Sequence, residues 1–477
     1  MRARWFLLSV WLAWLAVPLS AQPASLPGPV AGALTRAGIP QSAAGFYVHE
    51  IGAPRPLIAV GANRALNPAS TIKLLTTTAA LELLGPAYTW PTEAYAAGKF
   101  SGGALTGDLI LKGYGDPKLT LENFWLLLRE LRARGLRDIR GDLVLDRSYF
   151  APETADATGV DDQKMRPYNT APDALLINFK SVRLQFIPDS VAHAVRVIAE
   201  PDLPQVKIAN ELVLDGARCG YWEARLRYDL QDAPAAARLR FAGRLAAACG
   251  ERERYFSVLG PSEYALSLFQ VLWRELGGTF SGGVREGEVG PEARLLSTWK
   301  SQTLAETVRD INKFSNNVMA RQLFLTLGAA AEGAPATTEK SVRAIRQWLA
   351  DKGLAFPELV LENGAGLSRF ERLSARSLGQ LLLTAYRSPL MPELIASLPL
   401  AASDGTMKKR VKNAAVAGRA HMKTGSLDGV RAIAGYLLDA QGRRMVVVFI
   451  VNHPNAFNAQ AVQDALLDWV YRRGKAR

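Results

Sequence analysis

Histidine and cysteine are scarce in this chain, and two motifs of common hydrolases are missing from it. The 477 residues include four histidines and two cysteines, and they contain neither Gly-x-Ser-x-Gly nor His-Glu-x-x-His. These absences argue against a Ser-His-Asp hydrolase with a nucleophile elbow and against a zinc protease. Neither cysteine has the histidine or cysteine neighbours that a metal site needs, so the sequence predicts no metal and no cofactor. The histidines are His49, His193, His421 and His453.

Apolar runs that approach the length of a membrane span are also missing after the first 21 residues. At the N-terminus, two arginines precede an apolar run from Trp5 to Leu19, and Ser20-Ala21 offers small residues for cleavage. This pattern predicts a secretory signal peptide over residues 1–21. A retained membrane anchor is the alternative, although a spanning helix needs about 20 apolar residues. Export to an oxidising compartment predicts a disulfide between Cys219 and Cys249, with two free buried thiols as the alternative.

The chain is basic, with 57 Lys and Arg against 44 Asp and Glu, for a formal net charge of +13. The basic residues are spread along the chain and no nucleic-acid motif accompanies them, so no nucleic-acid partner is predicted. A solvated basic surface with weak attraction to anionic envelope polymers is the interpretation we favour. A C-terminal amphipathic helix over residues 459–471 is followed by four basic residues, and it is predicted to pack on a sheet. Peripheral membrane contact is its alternative.

The pattern of helix and strand signals changes twice along the chain and divides it into nested parts. Residues 22–89 and 261–477 combine long helical patterns with buried strands and are assigned to one domain. Residues 90–174 and 242–260 form an inserted second domain of short strand-like segments. Residues 175–241 alternate in the manner of strands and are assigned to a third, mainly β domain inside the second.

Three short motifs occur in a fixed order along the chain. They are Ser70-Thr-Ile-Lys73, Ser315-Asn-Asn317 and Lys423-Thr-Gly425. A nucleophilic Ser with a Lys three residues later, then Ser-x-Asn, then Lys-Thr-Gly, is the signature of penicillin-recognising peptidases and β-lactamases. Each motif alone is weak, but the ordered set predicts a serine acyl-transfer site.

Ser70 and Lys73 are predicted to open a helix that runs to Leu84, which puts both side chains on one face. Lys73 can then act as the base that activates Ser70, provided that burial and a neighbouring cation such as Lys423 keep it neutral. A plain N-cap is the alternative for Ser70. A second Ser-x-x-Lys begins at Ser297, only 18 residues before Ser315, which leaves little chain to build a site between them.

The other two motifs supply proton transfer and binding. Ser315 is predicted to relay a proton to the leaving amine, and the Asn317 amide to hold the substrate backbone. Lys423-Thr424-Gly425-Ser426 is predicted to form an edge strand that binds a terminal carboxylate. The backbone N–H groups of Ser426 and Ser70 are predicted to form an oxyanion hole. A polar helix cap and an exposed basic turn are the respective alternatives. His421 fits either a structural role or one in tuning the site.

With these motifs and several further segments, the chain resembles the class C low-molecular-mass penicillin-binding proteins, the DacB-like D-alanyl-D-alanine carboxypeptidase/endopeptidase group. The resemblance implies an α/β fold. Its transpeptidase/β-lactamase-like domain would have an antiparallel sheet flanked by helices, and two nested, mainly β domains would be inserted. It also implies a periplasmic location. The segments that carry the resemblance are Asn67 to Lys73, Gly113 to Thr120, Gly141 to Asp146, Asn312 to Asn317, Asn363 to Arg369, Asp404 to Thr406 and Lys423 to Ser426.

The function implied by the resemblance is cleavage of D-Ala-D-Ala and D-Ala-meso-diaminopimelate bonds in peptidoglycan peptide stems, with β-lactams as covalent inhibitors. Asp146, Phe150 and Arg369 are implied to recognise the diaminopimelate end. Asn316 and Asp428 stand where the family often has Asp and Gln. A non-catalytic peptidoglycan-binding scaffold and a β-lactamase are the alternatives, and the sequence predicts no oligomeric state.

Overall fold

The computed structural model describes residues 25–152, 165–233, 236–411 and 414–473, so the predicted signal peptide over residues 1–21 lies outside the described residues. Within these ranges the α-helices are, in chain order, α1 (Gly28–Arg36), α2 (Lys73–Leu84), α3 (Leu121–Ala133), α4 (Pro261–Glu275), α5 (Leu304–Phe314), α6 (Asn317–Glu332), α7 (Thr338–Asp351), α8 (Ala375–Tyr386), α9 (Met391–Ser397) and α10 (Gln460–Arg473).

The described strands are, in chain order, β1 (Ala44–Glu50), β2 (Ile58–Val60), β3 (Pro91–Ser101), β4 (Ala104–Gly113), β5 (Asp138–Ile139), β6 (Leu143–Asp146), β7 (Val182–Asp189), β8 (Ala194–Glu200), β9 (Val206–Asp215), β10 (Leu226–Ala233), β11 (Ala236–Ala246), β12 (Arg252–Phe256), β13 (Thr279–Phe280), β14 (Val284–Glu286), β15 (Arg294–Lys300), β16 (Ala420–Leu427), β17 (Val430–Leu438) and β18 (Arg444–Asn452).

A five-stranded antiparallel sheet joins the two ends of the chain in the order β16-β17-β18-β1-β2. Along β18, Val446 and Val448 face a core that contains α2, α5, α6 and α8, while Val447 and Phe449 face a second core with α1 and α10. A strand that is buried on both faces needs apolar residues at every position, which explains its continuous apolar run. The predicted antiparallel sheet flanked by helices is confirmed, and so is the predicted packing of α10 on it.

A second sheet has the path β13-β5-β4-β3-β15, with β6 pairing to β4 and β14 pairing to β6. Helices α3 and α4 cover it and share one apolar core with the third sheet. That third sheet has the order β10-β11-β9-β8-β7-β12. A disulfide joins Cys219, after β9, to Cys249, after β11.

Strand pairing sets boundaries for the second and third sheets that differ from those predicted for the second and third domains. Strand β12 pairs with β7, so the third sheet reaches Phe256 instead of ending at residue 241. Strands β13 to β15 pair with the second sheet, so its span runs to Lys300, past the predicted limit at residue 260. The difference arises because sheet membership depends on pairing between distant segments, whereas the sequence pattern reports only local periodicity.

The helix predicted from Ser70 begins with one 3-10 turn over Ala69–Ile72 and continues as α2 to Leu84. It ends at Gly85, whose φ of 82° is the left-handed backbone that glycine adopts without strain. In the described part of the chain, no helix has the length and hydropathy of a membrane span.

Candidate active site

The turn that carries Ser70 is held rigidly from both sides. Ala69 has a φ of 44°, an unusual conformation for a residue with a Cβ. The side chain of Asn67 accepts the Ala69 N–H at 2.8 Å, and Asn452 on β18 accepts the Asn67 N–H at 2.7 Å. Strained backbone of this kind persists only where its surroundings hold it in place. Ser70 thereby stands half-exposed at the start of α2.

Lys73 lies directly beneath Ser70 and is fully buried. Its ammonium Nζ is 3.0 Å from Ser70 Oγ and 2.7 Å from Asn317 Oδ1, and it also contacts the carbonyl oxygen of Ala365. Burial, followed by repulsion from the Lys423 ammonium, lowers the pKa of Lys73 well below its usual value. A neutral Lys73 can accept the proton of the Ser70 hydroxyl.

Ser315 occupies a left-handed turn, with a φ of 57°, between α5 and α6. The Asn316 side chain caps α6 by accepting the Met319 N–H at 3.0 Å. Lys423 Nζ donates to Ser315 Oγ at 2.8 Å, whereas Lys73 contacts Asn317. The second motif therefore contacts both lysines, because Ser315 accepts from Lys423 and Asn317 accepts from Lys73.

Strand β16 is an edge strand of the five-stranded sheet, as predicted, and it runs past the Ser70 turn. Lys423 is fully buried on it, and burial lowers its pKa to about 7. A Cβ at Gly425 would lie 2.8 Å from the carbonyl oxygen of Pro68 and 3.1 Å from the Ser70 nitrogen. Only glycine allows the strand to come this close, and Ser426 follows in an exposed position.

The structure also shows contacts to which the sequence analysis gave no role. The hydroxyls of Thr424 and Thr406 are 2.8 Å apart, which makes Thr406 a neighbour of the Lys-Thr-Gly strand. Lys313, two residues before Ser315, forms a 2.6 Å ion pair with Asp404 and ties the second motif to the same loop. Thr406 and Asp404 belong to a segment that carried the family resemblance, which was the available signal.

A loop over residues 363–366 forms the floor of the site. The carbonyl oxygen of Ala365 accepts a hydrogen bond from Lys73 Nζ. Gly366 has a φ of 79°, and a Cβ there would lie 2.1 Å from the carbonyl oxygen of Ala69. The loop lies in the segment Asn363 to Arg369, which carried the family resemblance, but its contact with a turn almost 300 residues earlier in the chain depends on the fold.

The three residues assigned to diaminopimelate recognition lie in different places. Arg369 is exposed and donates from Nη1 to the carbonyl oxygen of Asp428, at 2.8 Å, beside the end of β16. Asp146 is fully buried at the end of β6, where it pairs with Lys112 at 3.3 Å. Phe150 packs in an apolar cluster with residues of α6. The contacts described thus place Arg369 at the edge of the site and tie Asp146 into the second sheet.

Two further candidates differ from the Ser70 group. Ser297, in the second Ser-x-x-Lys, lies on β15 and donates to Glu130 at 2.7 Å, so this copy is not at a helix start. His421 on β16 is half-buried, and its Nδ1 atom has no hydrogen-bond partner within the described residues. Burial lowers the pKa of His421, which favours a neutral imidazole.

Beside the second motif a cleft of about 690 Å³ opens between the junction of α5 and α6 and the inserted parts. Ser315 and Asn317 line one wall, and Arg183 and Tyr255 of the third sheet line another. No group of three or more His, Cys, Asp or Glu side chains suited to a metal occurs in the ranges that the structure describes. The arrangement as a whole brings together a serine hydroxyl, a buried amine and a strand with a second buried lysine, groups that can carry out acyl transfer.

The matching family model is described as the D-Ala-D-Ala carboxypeptidase 3 (S13) family and covers residues 28–473. A D-alanyl-D-alanine carboxypeptidase of Actinomadura sp. is 30% identical over 427 residues, which are 84% of this chain and 76% of the relative. The D-alanyl-D-alanine carboxypeptidase DacB of Haemophilus influenzae is 27% identical over 393 residues, which are 80% of each chain.

The fold matches that of a solved relative. The crystal structure of penicillin binding protein 4 (dacB) from Haemophilus influenzae aligns with a TM-score of 0.78 at 24% identity, over 93% of this chain and 99% of that one. A second structure of that protein, complexed with a β-lactam, aligns with a TM-score of 0.73 at the same identity and coverage. These alignments confirm the predicted fold class.

Proposed function

The chain belongs to the S13 family of D-Ala-D-Ala carboxypeptidases, and we propose that it is a penicillin-sensitive serine DD-peptidase that forms an acyl-enzyme on Ser70. The observation that carries this proposal is the 3.0 Å contact between Ser70 Oγ and the buried Nζ of Lys73. A buried lysine with a lowered pKa, next to a hydroxyl, is the arrangement that generates a serine nucleophile without histidine.

Acylation proceeds by addition and collapse. Lys73 takes the Ser70 proton as Oγ bonds to the carbonyl carbon of the penultimate D-Ala. The resulting oxyanion is stabilised by the backbone N–H groups of Ser70 and Ser426, an assignment supported by the close approach of Gly425 to the Ser70 nitrogen. Collapse breaks the C–N bond, and the proton that Lys73 took from Ser70 passes through Ser315, which Lys423 contacts, to the leaving amine. Water then hydrolyses the ester and releases the shortened peptide.

Substrate binding is assigned to groups that face this centre. Lys423 and the Thr424 hydroxyl bind the terminal carboxylate, because a buried ammonium attracts an anion more strongly than an exposed one does. Asn317 holds the peptide backbone beside Ser70, and Gly425 lets that backbone lie against β16. Replacing Lys423, Thr424 or Asn317 would slow acylation more than it would destabilise the fold.

We extend the proposal to endopeptidase activity on D-Ala-meso-diaminopimelate cross-links. Support comes from the cleft beside Ser315 and Asn317, whose volume of about 690 Å³ accommodates more than a dipeptide. Arg369, which contacts Asp428 beside the end of β16, is the basic group assigned to the carboxylate of diaminopimelate. Asp146 and Phe150 remain assigned to the same recognition as predictions. The site then acts in the periplasm, where peptidoglycan is found.

Incubation with benzylpenicillin followed by intact-mass measurement tests the mechanism. We expect a stoichiometric covalent adduct on the wild-type protein and none on Ser70→Ala. A Ser297→Ala variant serves as the matched control and should form the adduct normally. Lack of an adduct on the wild type, or an adduct on Ser70→Ala, would overturn the proposal.

Product analysis separates the alternatives. Cross-linked muropeptides should yield both free D-Ala and uncrosslinked monomers. Binding without cleavage would indicate a scaffold instead of an enzyme. Rapid nitrocefin turnover without an accumulating adduct would indicate a β-lactamase.

A further inference from the structure

Glu371 is a buried carboxylate that the mechanism above does not use. It has no exposed surface, and its Oε1 atom accepts the backbone N–H groups of Glu362, Asn363 and Gly364 at 3.1–3.2 Å. Its Oε2 atom is buried and has no hydrogen-bond partner in the described chain. A carboxylate buried at this depth is costly unless something nearby compensates its charge.

The turn that Glu371 holds leads directly to the base. The Asn363 side chain accepts the Ala365 N–H at 2.9 Å, and the Gly364 carbonyl receives the Thr76 hydroxyl of α2 at 2.7 Å. These bonds fix the Ala365 carbonyl, which contacts Lys73 Nζ. One residue further on, Gly366 lies so close to Ala69 that no side chain fits between them.

The charges around Glu371 are basic. Lys73 from α2 and Arg321 from α6 interact electrostatically with Glu371, and Lys423 from β16 repels the charge on Lys73. Arg321 is 8% exposed, and its Nε atom has no hydrogen-bond partner among the described residues. Burial raises the pKa of Glu371, whereas the three backbone N–H groups and Lys73 lower it and favour its charged form. The carboxylate attracts the proton of Lys73, whereas Lys423 repels it.

We propose that Glu371 is a positioning residue for acylation, which holds the 362–366 turn so that the Ala365 carbonyl fixes Lys73 and supplies the buried negative charge that Lys73 faces. The proposal rests on the proposed role of Lys73 as base. Two effects follow from it. The carboxylate sets where Lys73 lies, and its charge sets the pH range in which Lys73 is neutral.

Two variants separate these effects. Glu371→Ala removes the acceptor of three N–H groups, and displacement of the base by about 1 Å can cost up to about 100-fold in rate. We expect the second-order rate constant of acylation by benzylpenicillin to fall about 10- to 100-fold across the pH range. Glu371→Gln keeps an oxygen for the N–H groups but removes the charge. Lys73 then loses its proton at lower pH, so the acidic limb of the acylation profile moves to lower pH while the maximal rate stays near wild type.

Glu358→Gln is the matched control, because its half-buried carboxylate also accepts a backbone N–H, that of Ser374 at 2.9 Å, on the same segment of chain. It should leave both the rate and the pH profile unchanged. Thermal denaturation of each variant establishes that it is folded. A folded Glu371→Ala that acylates within twofold of wild type would overturn the positioning role.

Titration of Lys73 by NMR, with ¹³C-labelled lysine and a Lys73→Arg variant for assignment, gives a readout that does not depend on activity. A lower titration midpoint in Glu371→Gln than in wild type supports the proposal, and identical midpoints overturn it. If wild type forms no penicillin adduct, the proposed function fails, yet this titration still decides the role of Glu371. It also decides the question if Glu371→Ala does not fold.

Discussion

Two lysines are fully buried in the candidate site, and their surroundings suit them to different tasks. Lys73 is in contact with the Ser70 hydroxyl and has Lys423 as a neighbouring cation, so its neutral form is favoured. Lys423 has a pKa lowered to about 7 by burial, so its charge changes near neutral pH. A bound carboxylate would compensate the burial cost of Lys423 and keep it protonated. One lysine can thus serve as the base while the other serves as the anion site.

The pKa of Lys423 predicts pH-dependent binding of peptides that end in D-Ala-D-Ala. Carboxylate binding favours protonated Lys423, so its pKa is higher in the complex than in the free protein. Below about pH 7 the lysine is already charged and affinity is highest; above it, binding must take up a proton and affinity falls. Isothermal titration calorimetry of Ser70→Ala with an N-acetylated D-Ala-D-Ala peptide, in buffers of different ionisation enthalpy, measures both effects.

Lys300→Met, which removes an exposed lysine on β15, should leave this pH dependence intact, whereas Lys423→Met should abolish it. An affinity that does not change with pH, with no proton uptake, would contradict the assignment of the carboxylate to Lys423.

At the scale of secondary-structure elements, the site depends on the close approach of β16 to the turn before α2. The turn is fixed by Asn67 and Asn452, and the strand reaches it because position 425 is a glycine. The same strand carries Lys423 toward Ser315 at the end of α5. An edge strand has backbone groups that no neighbouring strand occupies, so it can also receive an extended peptide. Strand position and motif chemistry are therefore linked.

Gly425→Ala should separate strand position from residue chemistry, because it adds one methyl group and changes no polar side chain. The new Cβ would lie 2.8 Å from the Pro68 carbonyl oxygen, so β16 must move away from Ser70. We expect penicillin acylation to slow about 10- to 100-fold, and overpacking to cost about 1–3 kcal/mol of stability. Stopped-flow acylation and urea denaturation measure the two effects.

Gly216→Ala is the control, since nothing lies within 4 Å of a Cβ at that position. It should match the wild-type protein in both measurements. Normal acylation by Gly425→Ala would contradict the requirement for close approach.

For the whole molecule, the five-stranded sheet joins strands from opposite ends of the chain, since β1 pairs with β18. Lys73 contacts Asn317, which follows it by 244 residues in the sequence, and Ala365, which follows it by 292. The second and third sheets are inserted between these partners and add one wall to the cleft. Contacts over such separations form only after much of the chain is ordered, so the site is a product of the complete fold.

Replacing Cys219 and Cys249 with serine tests how independent the third sheet is. Closing a loop with a sequence separation of 30 contributes about 3–4 kcal/mol in the chain-entropy picture. We expect the double variant to unfold at lower urea concentration, by about that free energy, while penicillin acylation at 25 °C keeps its rate. Circular dichroism and intact-mass kinetics provide the measurements. A matching loss of acylation would show that the third sheet holds the catalytic groups in place.

Much of this fold and site could be predicted from local sequence. The helix from Ser70 to Leu84 and α10 occur where the sequence predicts them, because apolar patterns and helix-ending residues such as Gly85 are local properties. The ordered motifs also predict the chemical groups. Lys423 indeed neighbours Lys73 and lowers its pKa. These properties depend on residue type, spacing and order, which the sequence contains directly.

The tertiary structure alone decided which distant segments meet. The segments that contain Ala365 and Thr406 carried the family resemblance, but no residue pattern predicts their contacts with Lys73 and Thr424 or the burial of Glu371. The extent of the second and third sheets likewise depended on pairing partners. Residue types and their order along the chain were enough to predict the chemical groups of the site and the elements that carry them. The geometry of the site was decided by packing, because burial and backbone contact are properties of segments that meet only in the folded chain.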